Sequence, residues 1–244
     1  MSEIIGEGEA LRFFEVATAV RLDLPDGGWG IELDGRVVKT PMSKTFLVPS
    51  SALAEAVVNE WSAQGEKIIP ATMPLTGLAN AATDRIEPNP QFFIDQLVTY
   101  ARSDLLCYWA EGPEDLVVRQ HIAWQPILDW VNETFNARFV TATGIIPVEQ
   151  PEESLKAIKD ALQDASVFHL AGLIDLAGIK SSVLLALAVW NGRLTPEDAF
   201  DAAFVDEIFQ EEQWGEDHDA IQRRSVIRSE VIATANFLQL LDVA

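Results

Sequence analysis

Few residues in this chain could do chemistry, and those present are scattered. Histidine occurs three times. His121 precedes Ile122 and Trp124 in a helical pattern and is expected to flank a packed face. His169 lies inside an apolar stretch, where a hydrogen-bonded core histidine is expected rather than a ligand. His218 sits in Glu216-Asp217-His218-Asp219, which has the composition of a metal cluster. Adjacent residues on a helix point in different directions, however, so these four do not readily converge on one ion. The single cysteine, Cys107, lies in Leu105-Leu106-Cys107-Tyr108-Trp109. One thiol forms no intrachain disulfide, so a reducing compartment is the default. A small core residue is expected there, not a nucleophile. Gly27-Gly28 and the Gly6/Gly8 pair lack a phosphate-loop lysine. The expectation is no catalytic residue, no metal and no cofactor.

Carboxylates are the abundant functional group. Seventeen Lys and Arg stand against 38 Asp and Glu, a net charge of −21. That balance argues against nucleic acid and anionic membranes, which bind Lys and Arg. It suits either plain solubility or attraction to a basic protein surface. From Leu194 to Gln222 the chain has ten acids and neither Lys nor Arg; Arg223, Arg224 and Arg228 follow. This run includes Asp206, Glu207, Glu211 and Asp217, with Trp214 among them. One reading is a solvated helix face. The other is an acidic docking surface anchored by Trp214, since interfaces favour Trp at their energetic centres and complementary charge selects the partner. Paired catalytic carboxylates would need a pocket that drives their pKa values apart, and the sequence displays none.

The elements that position these residues change character near residue 50. Val16 to Leu22 reads as a strand and Pro25-Asp26-Gly27-Gly28 as a turn. Trp29, Ile31 and Leu33 alternate at strand period. Asp34-Gly35 supplies the two positive-φ positions of a tight hairpin, and Arg36 to Thr40 returns. Pro41 stops the ladder, and Thr45 to Val48 is a last short strand. Arg36 and Lys39 are expected on the solvated face.

Beyond Pro49 the period is helical. Ser50 or Ser51 caps a helix with Leu53, Val57 and Trp61 on one side, and Gly65 ends it. Ile68 to Pro74 reads as a linker. Leu75, Leu78, Ala79, Ala82 and Ile86 form the next stripe, and Asn89-Pro90 opens another helix. Leu116 to Phe135 is a long helix containing Pro126, where a kink is expected. Phe139 to Val148 is extended or irregular. Pro151 starts a helix with acids in its first turn. Val167 to Ala177 and Ser181 to Trp190 are apolar nearly all round, as in the middle of a bundle. Thr195-Pro196-Glu197-Asp198 opens one helix carrying Phe200, Ala203, Phe204 and Ile208. The last helix runs from Asp217 or Asp219 towards Leu241.

The expected fold class is α+β: a disordered tail over 1–10, a small N-terminal antiparallel β domain over 11–49, and a larger all-helical bundle domain over 50–244. The longest apolar run, Val183 to Trp190, is far short of the roughly 20 residues of a membrane span. The opening MSEIIGEGEA has neither a secretory apolar region nor the Arg-rich character of a transit peptide. A cytoplasmic, bacterial protein is expected.

Six segments in order along most of the chain carry a resemblance. They are GWGIELDGRVVKTP, LVPSSALAEAVVNEWSAQGE, MPLTGLANAATDRI, YARSDLLCYWA, RQHIAWQPILDW and VDEIFQEEQWGEDHDAIQRR. Together they resemble the assembly chaperones of F-type ATP synthase that escort the alpha subunit of the catalytic sector. The resemblance implies a binding function without chemistry. The unassembled alpha subunit would be kept from aggregating until the beta subunit replaces the chaperone. It also implies the same two-part layout, and a mitochondrial matrix location for eukaryotic relatives. Asp206-Glu207, Phe209-Gln210 and Trp214-Gly215 match a signature of that family in which an acid is implicated, and Glu207 matches it best. Trp61 and Gln64 are signature positions too, and Trp61 is expected in a domain-junction core. The alternatives from other classes are a small-molecule hydrolase using carboxylates of the acidic helical region, and an acidic structural subunit of a stable complex.

Overall fold

The computed structural model describes residues 10–23, 27–144, 146–215 and 218–242. It is an α+β protein: a small N-terminal antiparallel sheet region followed by ten α-helices among the described residues. Two compact units divide the chain. The first holds the described residues up to Pro90, with Ser166–Gly172 and those from Asn236 onward. The second holds Gln91–Ala165 and Leu173–Ala235. The switch from strand to helix at residue 50 is thus a different boundary from the one that packing draws.

In the first unit, β1 (Ala10–Leu11) precedes β2 (Ala17–Arg21), β3 (Trp29–Leu33), β4 (Arg36–Val37) and β5 (Leu47–Val48). β3 pairs antiparallel with β2, β4 and β5. The β3–β4 turn has Asp34 at φ 50° and Gly35 at φ 76°, the two positive values that a tight hairpin of matching twist requires. The Asp34 carboxylate also accepts from the amides of Glu15 (3.1 Å) and Val16 (2.9 Å), pinning the entry to β2. Of the turn expected over Pro25 to Gly28, Pro25 and Asp26 lie outside the described residues.

Helix α1 (Ser51–Ser62) starts at Ser50, whose hydroxyl accepts from the Leu53 amide at 3.1 Å, the standard satisfaction of an orphan N-terminal donor. Its buried stripe of Leu53, Ala54, Val57 and Trp61 packs with Phe14, Ile31, Leu33, Phe46 and Val48 in the core. Ile68 to Pro74 is more ordered than a linker. β6 (Lys67–Ile68) pairs with β1, and Pro70–Thr72 forms a short 3-10 turn. The strand partner lies far back in the sequence, so no local pattern announces it. Ala10 belongs to this pairing, which corrects its assignment to a disordered tail; residues 1–9 lie outside the described residues. Helix α2 (Pro74–Ala81) runs into a wider π-type turn over Ala82–Ile86.

The second unit is built from α3 (Pro90–Arg102), β7 (Tyr108–Trp109), α4 (Glu114–Phe135), β8 (Ala142–Thr143), α5 (Glu152–Leu162), α6 (Val167–Lys180), α7 (Val183–Trp190), α8 (Pro196–Ala203), α9 (Val205–Trp214) and α10 (His218–Leu241). α6 and α10 lend residues to both units. β7 and β8 form a two-residue parallel pair. α4 continues through Pro126. α7 is the central helix, buried at seven of its eight positions, as its all-round apolar sequence dictates. Thr195 caps α8 by accepting from the Asp198 amide at 3.1 Å.

The single helix expected to carry Phe200 through Ile208 is two. α8 ends and α9 begins at Phe204, which leaves helical geometry at φ −113° and ψ 18°. The physical reason lies in the core. The Phe204 ring is buried and stacked on Phe200 at 4.5 Å, with the Lys180 ammonium 4.5 Å from its centre. Holding that ring in place turns the backbone, and α9 starts afresh with Ile208 N–H donating to the Phe204 carbonyl.

Candidate partner-binding site

The acid-rich segment resolves into α8, α9 and the start of α10, and its carboxylates go to separate places within the second unit. Asp206, in the first turn of α9, accepts from Gln120 Nε2 at 2.7 Å. Gln120 is itself buried, and its Oε1 accepts from the Ala110 amide at 2.8 Å. Burial raises the Asp206 carboxyl above the ordinary carboxylate range, against the pull of the Gln120 hydrogen bond. Glu207 is ion-paired with Lys180 of α6. Glu211, one turn later, is ion-paired with Arg224 of α10. Glu212 reaches Arg119 of α4 at 2.6 Å, and that hydrogen bond holds its carboxyl below the ordinary range.

Three of the five candidate residues, Asp206, Glu207 and Glu211, are therefore engaged within the chain. Trp214 is different: it closes α9 with its side chain 80% exposed. Gly215 then breaks the helix at φ 97°, donating its amide to the Glu211 carbonyl at 2.9 Å. Asp217 lies outside the described residues, as does Glu216, so the Glu216–Asp219 cluster is not described as a whole. His218 opens α10. Among the described residues no group of three or more His, Cys, Asp or Glu is placed to hold a metal ion.

The remaining candidates fall into structural roles. Cys107 is buried, and burial, aided by the charge of Asp104, pushes its thiol far up. A thiol so placed is inert. His121 meets the Trp109 ring edge-on at 5.4 Å. His169 is not a core residue of the expected kind. It contacts Ser166 Oγ at 2.8 Å and Asp242 at 3.2 Å near the surface. Arg36 and Lys39 are exposed on the hairpin.

Trp61 is buried in the first unit, edge-on to Phe14 at 5.7 Å. Gln64 is buried as well. It donates to the Glu60 carbonyl (3.0 Å) and Thr72 Oγ1 (3.1 Å), and accepts from the Ile69 amide (2.7 Å). Glu60 accepts from the amides of Leu75 (2.7 Å) and Thr76 (2.8 Å) at the start of α2. The motif Glu60-Trp61-Gln64 thus braces the turn from α1 into α2.

Sequence reasoning missed an apolar groove between α4, α8 and α9, whose volume is about 610 Å³. The sequence signal that could have found it is Ile122 with Pro126, apolar residues one turn apart that both line the groove.

Comparison with known proteins bears on this arrangement. The family described as "ATP12 chaperone protein" matches residues 11–132. Protein atp12, mitochondrial, of Schizosaccharomyces pombe is 24% identical over 206 residues, 78% of this chain and 69% of the yeast protein. Atp12 from Paracoccus denitrificans superposes with a TM-score of 0.89 at 33% identity, covering 95% of this chain and 98% of that one. A protein from Agrobacterium tumefaciens superposes at 0.90 with 38% identity, over 96% of this chain and 87% of its own.

Proposed function

This chain belongs to the ATP12 chaperone family, and on that premise we propose that it assists assembly of F-type ATP synthase by holding the unassembled alpha subunit of the catalytic sector. The observation that carries the reading is the similarity to Atp12 from Paracoccus denitrificans, 33% identical at a TM-score of 0.89 over nearly the whole of both chains.

The physics required is modest. A subunit awaiting its neighbour exposes an apolar surface, and large exposed apolar patches associate indiscriminately. A chaperone that covers the patch removes the hazard by mass action. Its affinity must stay below that of the beta subunit, so that exchange runs downhill. No chemical step is needed. The abundance of carboxylates does not favour a hydrolase, because Asp206, Glu207, Glu211 and Glu212 are each drawn to a different partner. The site of action is the cytoplasm of a bacterial cell, and no helix among the described residues is long and apolar enough to cross a membrane. Trp214 is the exposed anchor available to the client, and Glu207 acts in binding only if its ion pair with Lys180 opens to the client.

Immobilised chaperone incubated with purified alpha subunit, beta subunit and assembled catalytic sector tests this. Retention of the alpha subunit alone is expected. Equal retention of the beta subunit, or none of the alpha subunit, contradicts it.

A further inference from the structure

Among the described residues from 210 to 230, none is buried. Phe209 is buried just before this stretch and Val231 just after it. Between them lie the second half of α9, the break at Gly215 and the first half of α10. α10 contributes a half-buried stripe there that includes Ile221, Arg224 and Ile227. Trp214 stands exposed where the two helices part.

The ties that hold the stretch are ionic. Glu211 of α9 is paired with Arg224 of α10, and the two side chains are only 20% and 16% exposed. This clasp joins the helices to each other. The other oxygen of Glu211, Oε1, is buried without a hydrogen-bond partner, so the charge depends on Arg224. Two contacts reach the body of the unit. Glu212 meets Arg119 of α4 at 2.6 Å, and Arg228 lies 4.0 Å from Asp201 of α8. The Arg119 guanidinium also lies 5.2 Å from the centre of the Phe209 ring. One residue thus serves both an ion pair and the buried ring beside it.

Helices this short are marginal without packing, because nucleation fixes several residues for one hydrogen bond. A segment with few buried apolar contacts opens at lower free energy than the core. α7, buried at seven of its eight positions, is the opposite extreme.

We propose that residues 210–230 form a flap, clasped by Glu211 and Arg224 and latched to the body through Arg119 and Asp201. It opens as one unit while the core stays folded, and its closed state positions Trp214 for the client. The identity of the client rests on the chaperone reading, whereas the flap rests on burial and ion pairing. A closed flap has already ordered its anchor, so apparent affinity follows the fraction that is closed. Arg119 and Arg224 are therefore positioning residues for Trp214.

Hydrogen exchange read by mass spectrometry on the whole chain tests the flap. In wild type, amides of the flap are expected to exchange at least about tenfold faster than those of α7. They should quicken further between about 0.05 and about 1 M NaCl, as screening weakens the latch, while α7 does not. Arg224→Met strands Glu211 and is expected to quicken the flap about tenfold more, again without α7. Flap amides as slow as α7 in wild type, or α7 quickening by the same factor as the flap in Arg224→Met, would overturn the proposal. Should Arg224→Met fail to fold, Arg119→Met repeats the comparison.

Titration of purified alpha subunit tests the positioning in a double-mutant cycle. Arg224→Met is expected to weaken binding about threefold or more. In a Trp214→Ser background it should add nothing, because no anchor is left to position. An equal loss in both backgrounds, or none in either, refutes the positioning role. If wild type holds no alpha subunit, the chaperone reading falls and the positioning role with it, and the exchange pattern alone decides the flap.

Discussion

Glu207 of α9 is ion-paired with Lys180 of α6, whose ammonium lies 4.5 Å from the centre of the Phe204 ring. An acid that the sequence marks for a partner is thus neutralised by its own chain, at the point where α8 breaks into α9. Reversing it would set two ammonium groups against each other beside a buried ring. The variant Glu207→Lys is expected to lower stability by about 1 kcal/mol, the upper range for a partly exposed pair, and the swap Lys180→Glu with Glu207→Lys to recover most of the loss in urea unfolding. A swap no more stable than Glu207→Lys alone contradicts the pairing. Binding of the alpha subunit measured on the swap, rather than on the single variant, then isolates any direct contact by Glu207.

Trp214 offers the opposite case. Its ring makes little internal packing, so Trp214→Ser should change stability by no more than about 0.5 kcal/mol. As an anchor it should cost client binding tenfold or more, since truncating an energetic centre costs about 2 kcal/mol or above. Unchanged binding in a titration of alpha subunit removes Trp214 from the interface.

Asp104 gives a pH signature. It is fully buried and accepts from Ser182 Oγ (2.7 Å) and the amides of Leu106 and Leu184 (3.1 Å each), tying the turn after α3 to the start of α7. Burial pushes it up to about 7, against the pull of those donors. Its folded value exceeds its unfolded one, so between about pH 4 and about 7 the folded state keeps a proton that the unfolded state releases. The contribution to stability is therefore largest on the acid side, falls as pH rises to about 7, and is level beyond. Burial raises Glu60, Asp175 and Asp206 in the same sense, so the informative quantity is a difference. The Tm of Asp104→Asn is expected to fall less steeply than that of wild type over this window. Parallel Tm profiles would show that Asp104 does not titrate there.

Gln64 is expected to behave as a brace. Gln64→Ala leaves the Ile69 amide without its 2.7 Å acceptor and removes the bonds to the Glu60 carbonyl and Thr72; because Ile69 is exposed and water reaches its amide, the cost is expected at about 1 kcal/mol. Gln64→Glu keeps the acceptor, loses the two donated bonds and should fall between. Urea unfolding orders the three proteins. A neutral Gln64→Ala would mean that water replaces the side chain.

The sequence by itself determined the local devices. Asp34-Gly35 turns the hairpin, Ser50 caps α1, Thr195 caps α8, and α7 is apolar on every side because it is central. Each is legible because cause and effect lie within a few residues, where φ preferences, side-chain reach and the 2.0 or 3.6 residue period operate. The scarcity of His and Cys and the ordered family segments were equally plain. Tertiary structure alone decided where the acids go. Lys180 answers Glu207 from 27 positions away and Gln120 answers Asp206 from 86. It also decided that β1 pairs with β6, that Phe204 splits one expected helix into two, and that α4, α8 and α9 leave a groove open. A run of carboxylates has the same spacing whether it faces water or a neighbour's cation. Only the packing of distant helices settles which carboxylates are neutralised, and which apolar side chains stay uncovered.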